Sequence, residues 1–473
     1  MSRIVVVSNR IGPIEEGKSA PGGLAVGVYE ILRATGGIWF GWSGETIDQT
    51  SQAPSLVQQG NITYATIGLG RKDYGEYYAG FSNATLWPLL HYRTGLIDFS
   101  RDCLSGYLRV NEQFAEHLAR LIQPDDIIWV HDYHLIPLGA ALRRRGITQR
   151  IGFFLHTPLP PRAVMRTLPD HRQIFGTFSA YDVVGFQTAD DADHFTDYMV
   201  RDLGASKQGS TLALDARLFK AGVFPIGIDP DDFARTAAVA VGQSATRRLA
   251  RSLGERPLII GVDRLDYSKG LPFRFKSIEL LLGQHPEWRG RCTFLQVATL
   301  SRTDVRQYRD LRAELDAAAG HINGRYADYD WTPIRYVNKS FNRNTLAGFF
   351  RHARVGLVTP LRDGMNLVAK EYVAAQKPDD PGVLVLSQFA GAANELDSAL
   401  LVNPFDVGGV AQTIIRALEM SLPERVERWR AMMTTLHNNT VRDWARRFVE
   451  TLTANRADMR PAALSGGAGR TGA

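Results

Sequence analysis

At 473 residues, with 44% hydrophobic and 22% charged side chains, the chain is too long for one ordinary core and too apolar for disorder, so a soluble protein of two large domains is expected. Its 55 Lys and Arg against 49 Asp and Glu leave a net charge of +6, scattered rather than gathered into a stripe, which argues against nucleic-acid binding. Cys103 and Cys292 stand far apart without metal-ligand spacing, and no apolar run reaches the roughly 18 residues of a membrane helix, so a disulfide framework, a zinc site and a membrane span fall away and a cytoplasmic protein is expected.

The first predicted strand, 4–7, is too short for a signal peptide and runs into polar Ser8, Asn9 and Arg10. Pro21, Gly22 and Gly23 then open a helix and set bare amides where an anion meets a helix N-terminus, although for a glycine pair alone a tight turn with close packing is the simpler reading. The dinucleotide spacing is missing, which disfavours a nucleotide-dependent oxidoreductase. Tyr77, Tyr78, Trp87, His91, Tyr92 and Arg93 crowd a stretch with little strand or helix signal. Any one aromatic is core by default, but a cluster with polar tips suits a sugar.

Strands are predicted next at 127–130, 151–155 and 183–186, each bounded by polar or turn residues and followed by helical periodicity. The first leads into His131, Asp132, Tyr133 and His134, the second into His156, which reads as well as a core histidine as a sugar ligand. His131 and His134, and the pairs Asp191/Asp193, Asp229/Asp231 and Asp328/Asp330, invite a metal, but further ligands do not follow at suitable spacing, so no metal is expected. A turn-rich stretch at 225–230 and a polar helix place a boundary near residue 235. The domains are then 1–235 and 236–455, with 456–473 a flexible tail.

In the second half, strands are predicted at 258–262, 293–297, 334–337, 355–358 and 383–386. Arg264 and Lys269 follow the first of them, placing two cations at one strand end, where they can stabilise a leaving group or pair with Asp263 or Asp266. Asp363 sits in a Gly364-Met365-Asn366 loop ahead of a helix through Leu367, Val368, Ala369, Lys370 and Glu371, so one carboxylate can accept sugar hydroxyls and the other ribose hydroxyls. The stretch 423–454 reads as helical and long enough to pack back on the N-terminal domain. The fold class is α/β with two doubly wound parallel sheets, whose ligands belong beyond the carboxyl ends of the strands.

From about residue 3 to 449 the chain resembles the trehalose-6-phosphate synthase family, through Val5-Val6-Val7-Ser8-Asn9-Arg10, Trp39-Phe40-Gly41-Trp42-Ser43-Gly44, His131-Asp132-Tyr133-His134, Arg264-Leu265-Asp266-Tyr267-Ser268-Lys269-Gly270 and the string from Asp363 to Glu371. The resemblance implies the GT-B arrangement, two Rossmann-like domains facing a central cleft, and a retaining, metal-independent, cofactor-free transfer of glucose from UDP-glucose to glucose 6-phosphate. It implies Arg10, Tyr78, Asp132 and Arg302 as acceptor residues, with Arg10 and Arg302 the phosphate cations. It implies Gly22, Gly23, Arg264, Lys269, Phe341 and Leu367, Val368, Ala369, Lys370 and Glu371 as donor residues. His156 and Asp363 would orient the glucose, and Trp87 with His156 would select the anomer. A homo-oligomer is compatible with it, as is a separate trehalose-phosphate phosphatase for the product and a role in osmoprotection. The alternatives are a glucosylglycerol-phosphate synthase using ADP-glucose and glycerol 3-phosphate, and a non-catalytic sugar-phosphate sensor.

Overall fold

The structure, a computed structural model, describes residues 2–12, 23–48, 53–302 and 305–454. Pro21 and Gly22 of the glycine turn and the tail 456–473 lie outside the described residues; Gly23 begins the first helix, Gly23–Thr35.

Two sheets organise the chain. The first contains β1 (Ile4–Arg10), β2 (Gly37–Ile47), β3 (Ser55–Gln59), β4 (Ile62–Gly70), β5 (Ile127–His131), β6 (Arg150–Phe154), β7 (Val183–Phe186), β8 (Ser206–Gln208), β9 (Thr211–Leu214) and β10 (Arg217–Val223), in the order β3-β4-β2-β1-β5-β6-β7-β10-β9-β8. Its centre is parallel, and β3, β8 and β9 add antiparallel edges. The second is wholly parallel: β11 (Leu258–Arg264), β12 (Thr293–Thr299), β13 (Ile334–Val337), β14 (Val355–Val358), β15 (Val383–Ser387) and β16 (Leu400–Val402), in the order β13-β12-β11-β14-β15-β16. Strand order reverses between β1 and β5 in one sheet and between β11 and β14 in the other, so each has a crevice at its carboxyl edge.

Buried β-branched runs such as Val5, Val6 and Val7 mark the central strands, whereas β2, β4 and the edge hairpin carry glycine and polar residues and are not legible as such runs. The aromatic stretch is also more regular than its sequence suggests, for Tyr74–Leu86 forms a π-helix. Its buried Tyr77, Phe81, Ser82, Thr85 and Leu86 recur at a spacing wider than the 3.6 of an α-helix, which hides the pattern.

The chain crosses between sheets at 224–229, and the helix Pro230–Ala240, which contains residue 235, packs with Arg343–His352 of the second sheet's half through Phe233 and Phe350. The helical stretch near the C-terminus is two helices, Leu422–Asn438 and Val441–Thr453, because the side chains of Thr440 and Asp443 form a capping box that starts a new helix. The last helix lies on the first sheet, with Phe448 stacked on Trp129 at 4.6 Å. Glycine makes that approach possible: a Cβ at Gly152 would come within 2.6 Å of the Phe448 ring, and one at Gly185 within 2.8 Å. The two crossing segments support each other, Val441 donating its N–H to the Ile228 carbonyl at 3.2 Å and Asn439 its amide to the Pro225 carbonyl at 3.0 Å.

Candidate active site

The carboxyl edges of the two sheets face each other and carry the polar residues singled out above. β1 delivers Arg10, β5 leads into Asp132, and His156 follows β6; opposite them, Arg264 ends β11, Arg302 follows β12 and Asp363 follows β14. Two of these positions, and a third in the Asp363 loop, hold unusual backbone. Asp132 has φ 76° and ψ 165°, a region used almost only by glycine, Arg302 has φ 51°, and Asn366 beside Asp363 has φ 78°. Such conformations cost about 1–3 kcal/mol each and persist where the surroundings fix them, which is a pattern of functional sites.

On the first sheet, burial raises the Asp132 carboxyl to about 6, against the pull of hydrogen bonds from the Tyr133 and His156 amides and the charges of Arg264 and Arg302. Tyr78 stacks on His134 at 5.9 Å and packs on Trp42, and the Arg10 guanidinium sits 5.8 Å from the Trp42 ring. Gly44, at φ 92°, makes room for Arg10, since a Cβ there would come within 2.5 Å of its Nε. His156 is joined to His131 by a 3.1 Å contact between Nε2 and Nδ1. Burial lowers both rings, His156 to about 3, so both are neutral near pH 7.

Trp87 forms the bridge between the sheets. Its ring is flanked by Arg302 at 3.9 Å and Arg264 at 5.2 Å, and its indole N–H donates to Asp266 Oδ1 at 3.4 Å. Asp266 also lies 3.5 Å from Arg302 and 4.0 Å from Arg264, and accepts from the Tyr308 hydroxyl at 3.1 Å. Burial alone would raise Asp266, but Arg302, Arg264, His91 and Lys269 hold it well below the usual carboxylate range. Arg302 further donates to the Tyr133 hydroxyl at 3.0 Å.

Lys269 pairs with Asp363 at 2.5 Å, and Asn366 donates to the same carboxylate oxygen at 2.9 Å. Burial opposes ionisation of Asp363, yet Lys269 and its other neighbours bring its pKa below the ordinary value. Gly364 allows this loop to meet the opposite sheet, because a Cβ there would lie 2.0 Å from the His156 carbonyl oxygen. Asn366 Oδ1 then caps the helix Leu367–Ala375 by accepting from the Ala369 amide at 3.2 Å. Leu367 and Glu371 line a cavity of about 370 Å³ with Gly27, Ile228, Asp229 and Arg343, and burial raises Glu371 to about 7 against the charge of Arg343.

The singled-out residues therefore separate by position. Trp87, Asp132, His156, Arg264, Lys269, Arg302 and Asp363 meet across the crevice, with Arg10 and Tyr78 on its first-sheet flank. Phe341 packs on Phe349 at 5.5 Å, and Val368 lies partly in the core. Lys370 is turned away: fully buried, it donates to the Ile226 carbonyl at 2.7 Å and Glu395 at 2.6 Å, so its ammonium is committed to joining the two halves. Asp266, Tyr133 and Tyr308 were not singled out as binding groups, because their role appears only when β5, β11 and Arg306–Tyr326 converge. Among the described residues, no three His, Cys, Asp or Glu side chains are grouped to hold a metal ion. No described helix is long and apolar enough to cross a membrane.

The sequence model for glycosyltransferase family 20 matches residues 4–454. A trehalose-6-phosphate synthase of Sinorhizobium fredii is 50% identical over 459 residues, spanning 96% of this chain and 99% of that protein. A solved alpha,alpha-trehalose-phosphate synthase (UDP-forming) of Burkholderia xenovorans, in complex with glucose 6-phosphate, superposes with a TM-score of 0.93 at 49% identity, covering 95% of this chain and 100% of that one. A solved Escherichia coli protein bound with UDP-2-fluoro glucose gives 0.92 at 47% identity, covering 96% and 99%.

Proposed function

Since the chain belongs to glycosyltransferase family 20, we propose that it transfers glucose from UDP-glucose to glucose 6-phosphate, with retention and without a metal ion, giving α,α-trehalose 6-phosphate and UDP. The observation that carries this reading is the Trp87 bridge, where two guanidiniums from the second sheet flank one ring of the first and share the buried Asp266. In this reading one of these cations serves each of the two phosphorylated substrates.

In this reading residues 1–235 hold most of the acceptor and 236–455 most of the donor. Arg10 and Arg302 bind the acceptor phosphate, and Tyr78 and Asp132 its sugar. Arg264 and Lys269, with Gly22 and Gly23, neutralise the donor diphosphate as its bond to glucose breaks, which favours the transition state over the ground state. They supply the counter-charge that a divalent cation supplies in other enzymes. His156 and Asp363 orient the glucose, Trp87 shapes the acceptor side for one anomer, Glu371 accepts the ribose hydroxyls, and Phe341 with the backbone of Leu367, Val368 and Ala369 completes the donor pocket. The side chain of Lys370 supports this pocket from behind. The acceptor hydroxyl attacks the face from which the diphosphate departs and passes its proton to the departing phosphate oxygen.

The reading carries with it a cytoplasmic enzyme that serves osmoprotection and whose product passes to a separate trehalose-phosphate phosphatase. The test is UDP release: it requires UDP-glucose and glucose 6-phosphate together. Equal release without the sugar phosphate, or a preference for ADP-glucose with glycerol 3-phosphate, rejects the assignment.

A further inference from the structure

His131 does not reach the crevice, yet it touches His156, the residue given the task of orienting the donor glucose. Its Nδ1 lies 3.1 Å from His156 Nε2, and one of these nitrogens must donate to the other. His131 is fully buried, and its Nε2 has no hydrogen-bond partner among the described residues. The neighbouring rings are Trp129 at 4.6 Å, Phe154 at 6.5 Å and Trp444 at 6.2 Å. The indole N–H groups of both tryptophans are themselves buried without acceptors.

A proton on His131 Nε2 would add a third orphan donor to one aromatic pocket. A lone pair there leaves an orphan acceptor in a pocket that already holds two orphan N–H groups, and buried orphan donors are the rarer and costlier case. The His131 proton therefore belongs on Nδ1, where it is donated to His156 Nε2. His156 must then carry its own proton on Nδ1, the ring nitrogen not engaged by His131.

We propose that His131 is a positioning residue that fixes His156 as its Nδ1–H tautomer, so that His156 presents a hydrogen-bond donor, not an acceptor, to a hydroxyl oxygen of the donor sugar. The effect on transfer rests on the function proposed above, whereas the tautomer does not. Burial keeps both rings neutral, which allows the relay to operate across the neutral pH range.

Nitrogen NMR of enzyme labelled with ¹⁵N-histidine, with the His156 signals identified by their loss in His156→Gln, tests the tautomer directly. His156 Nδ1 is expected to be protonated and Nε2 bare in the unaltered enzyme at pH 7; the reverse assignment overturns the proposal whether or not the protein transfers glucose. In His131→Leu the His156 tautomer is expected to become mixed, with kcat reduced roughly tenfold, the effect of one lost hydrogen bond, and the KM for glucose 6-phosphate unchanged. In His131→Asn, whose side-chain amide can donate near the former Nδ1, the tautomer and most of kcat are expected to return. An unchanged tautomer or unchanged kcat in folded His131→Leu overturns the proposal, and the measurement on the unaltered enzyme decides it if that variant does not fold.

Discussion

Arg264 is half exposed and lies against Trp87 and Asp266, while Lys269 is nearly enclosed and paired with Asp363. In the proposed function both cations neutralise the departing diphosphate, so Arg264→Ala and Lys269→Ala should each lower kcat by about 10²–10³ and leave glucose 6-phosphate affinity within a few-fold. Single-turnover rates and acceptor titrations check this together. Asp132 poses a different trade. Its glycine-like backbone strains the chain and its carboxyl is buried, so Asp132→Gly should raise the unfolding temperature while weakening glucose 6-phosphate binding; a fall in both would remove the strain argument. Glu371 gives a pH signature. Its ordinary pKa is 4.5 and burial raises it to about 7, so the unfolded chain loses this proton first and the carboxyl penalises folding increasingly between those values. Glu371→Gln should therefore be stabilising in the free enzyme by an amount that grows from pH 4.5 to about 2 kcal/mol above pH 7, allowing for partial exposure. If, as proposed, the Glu371 carboxylate accepts the ribose hydroxyls, the KM for UDP-glucose should fall as pH rises through 7 in the unaltered enzyme and not in the variant. Denaturation curves and initial rates over this range supply both readouts.

At the scale of elements, the helix Leu367–Ala375 is held from two sides, by its Asn366 cap at the crevice and by Lys370 behind. Lys370→Met leaves Glu395, among the described residues, with Asn439 as its remaining close partner, and should cost about 3–5 kcal/mol, the range for breaking a buried ion pair. Chemical denaturation checks that loss, and the KM for UDP-glucose of the folded enzyme should change little; a large KM change would give the ammonium a direct part in donor binding. Lys370 also shows where sequence reading stops. A helix after a glycine loop is visible in the chain, but which face of it meets the crevice depends on the crossing segment at 224–229, far away in sequence. The parallel central strands were legible because burial on both faces selects β-branched runs. The edge strands and the Tyr74–Leu86 π-helix were not, since exposed strands mix polar and apolar residues and the helix keeps no 3.6 period. Arg10, Asp132, His156, Arg264 and Asp363 could be found from strand ends alone. Asp266 could not be assigned its role, because an acid beside an arginine in sequence reads as a simple ion pair until Arg302, Trp87 and Tyr308 are seen around it.

Over the whole molecule, both crevices lie at the points where strand order reverses, and the last helix ties the second half of the chain to the first sheet. The halves touch at Trp87 and Asp266, at Gly364 and His156, and at Lys370 and Ile226, which brings the crevice residues of both together. In the proposed function, closing this crevice over both substrates keeps water from the activated sugar, which requires that transfer outrun hydrolysis. The measurement that bears most directly on the account is proton NMR of the product formed from UDP-glucose and glucose 6-phosphate. A disaccharide monophosphate with both anomeric protons in the α configuration, formed in step with UDP, is the expected result. Free glucose as the main product, or a β-linked or differently joined disaccharide, would contradict it.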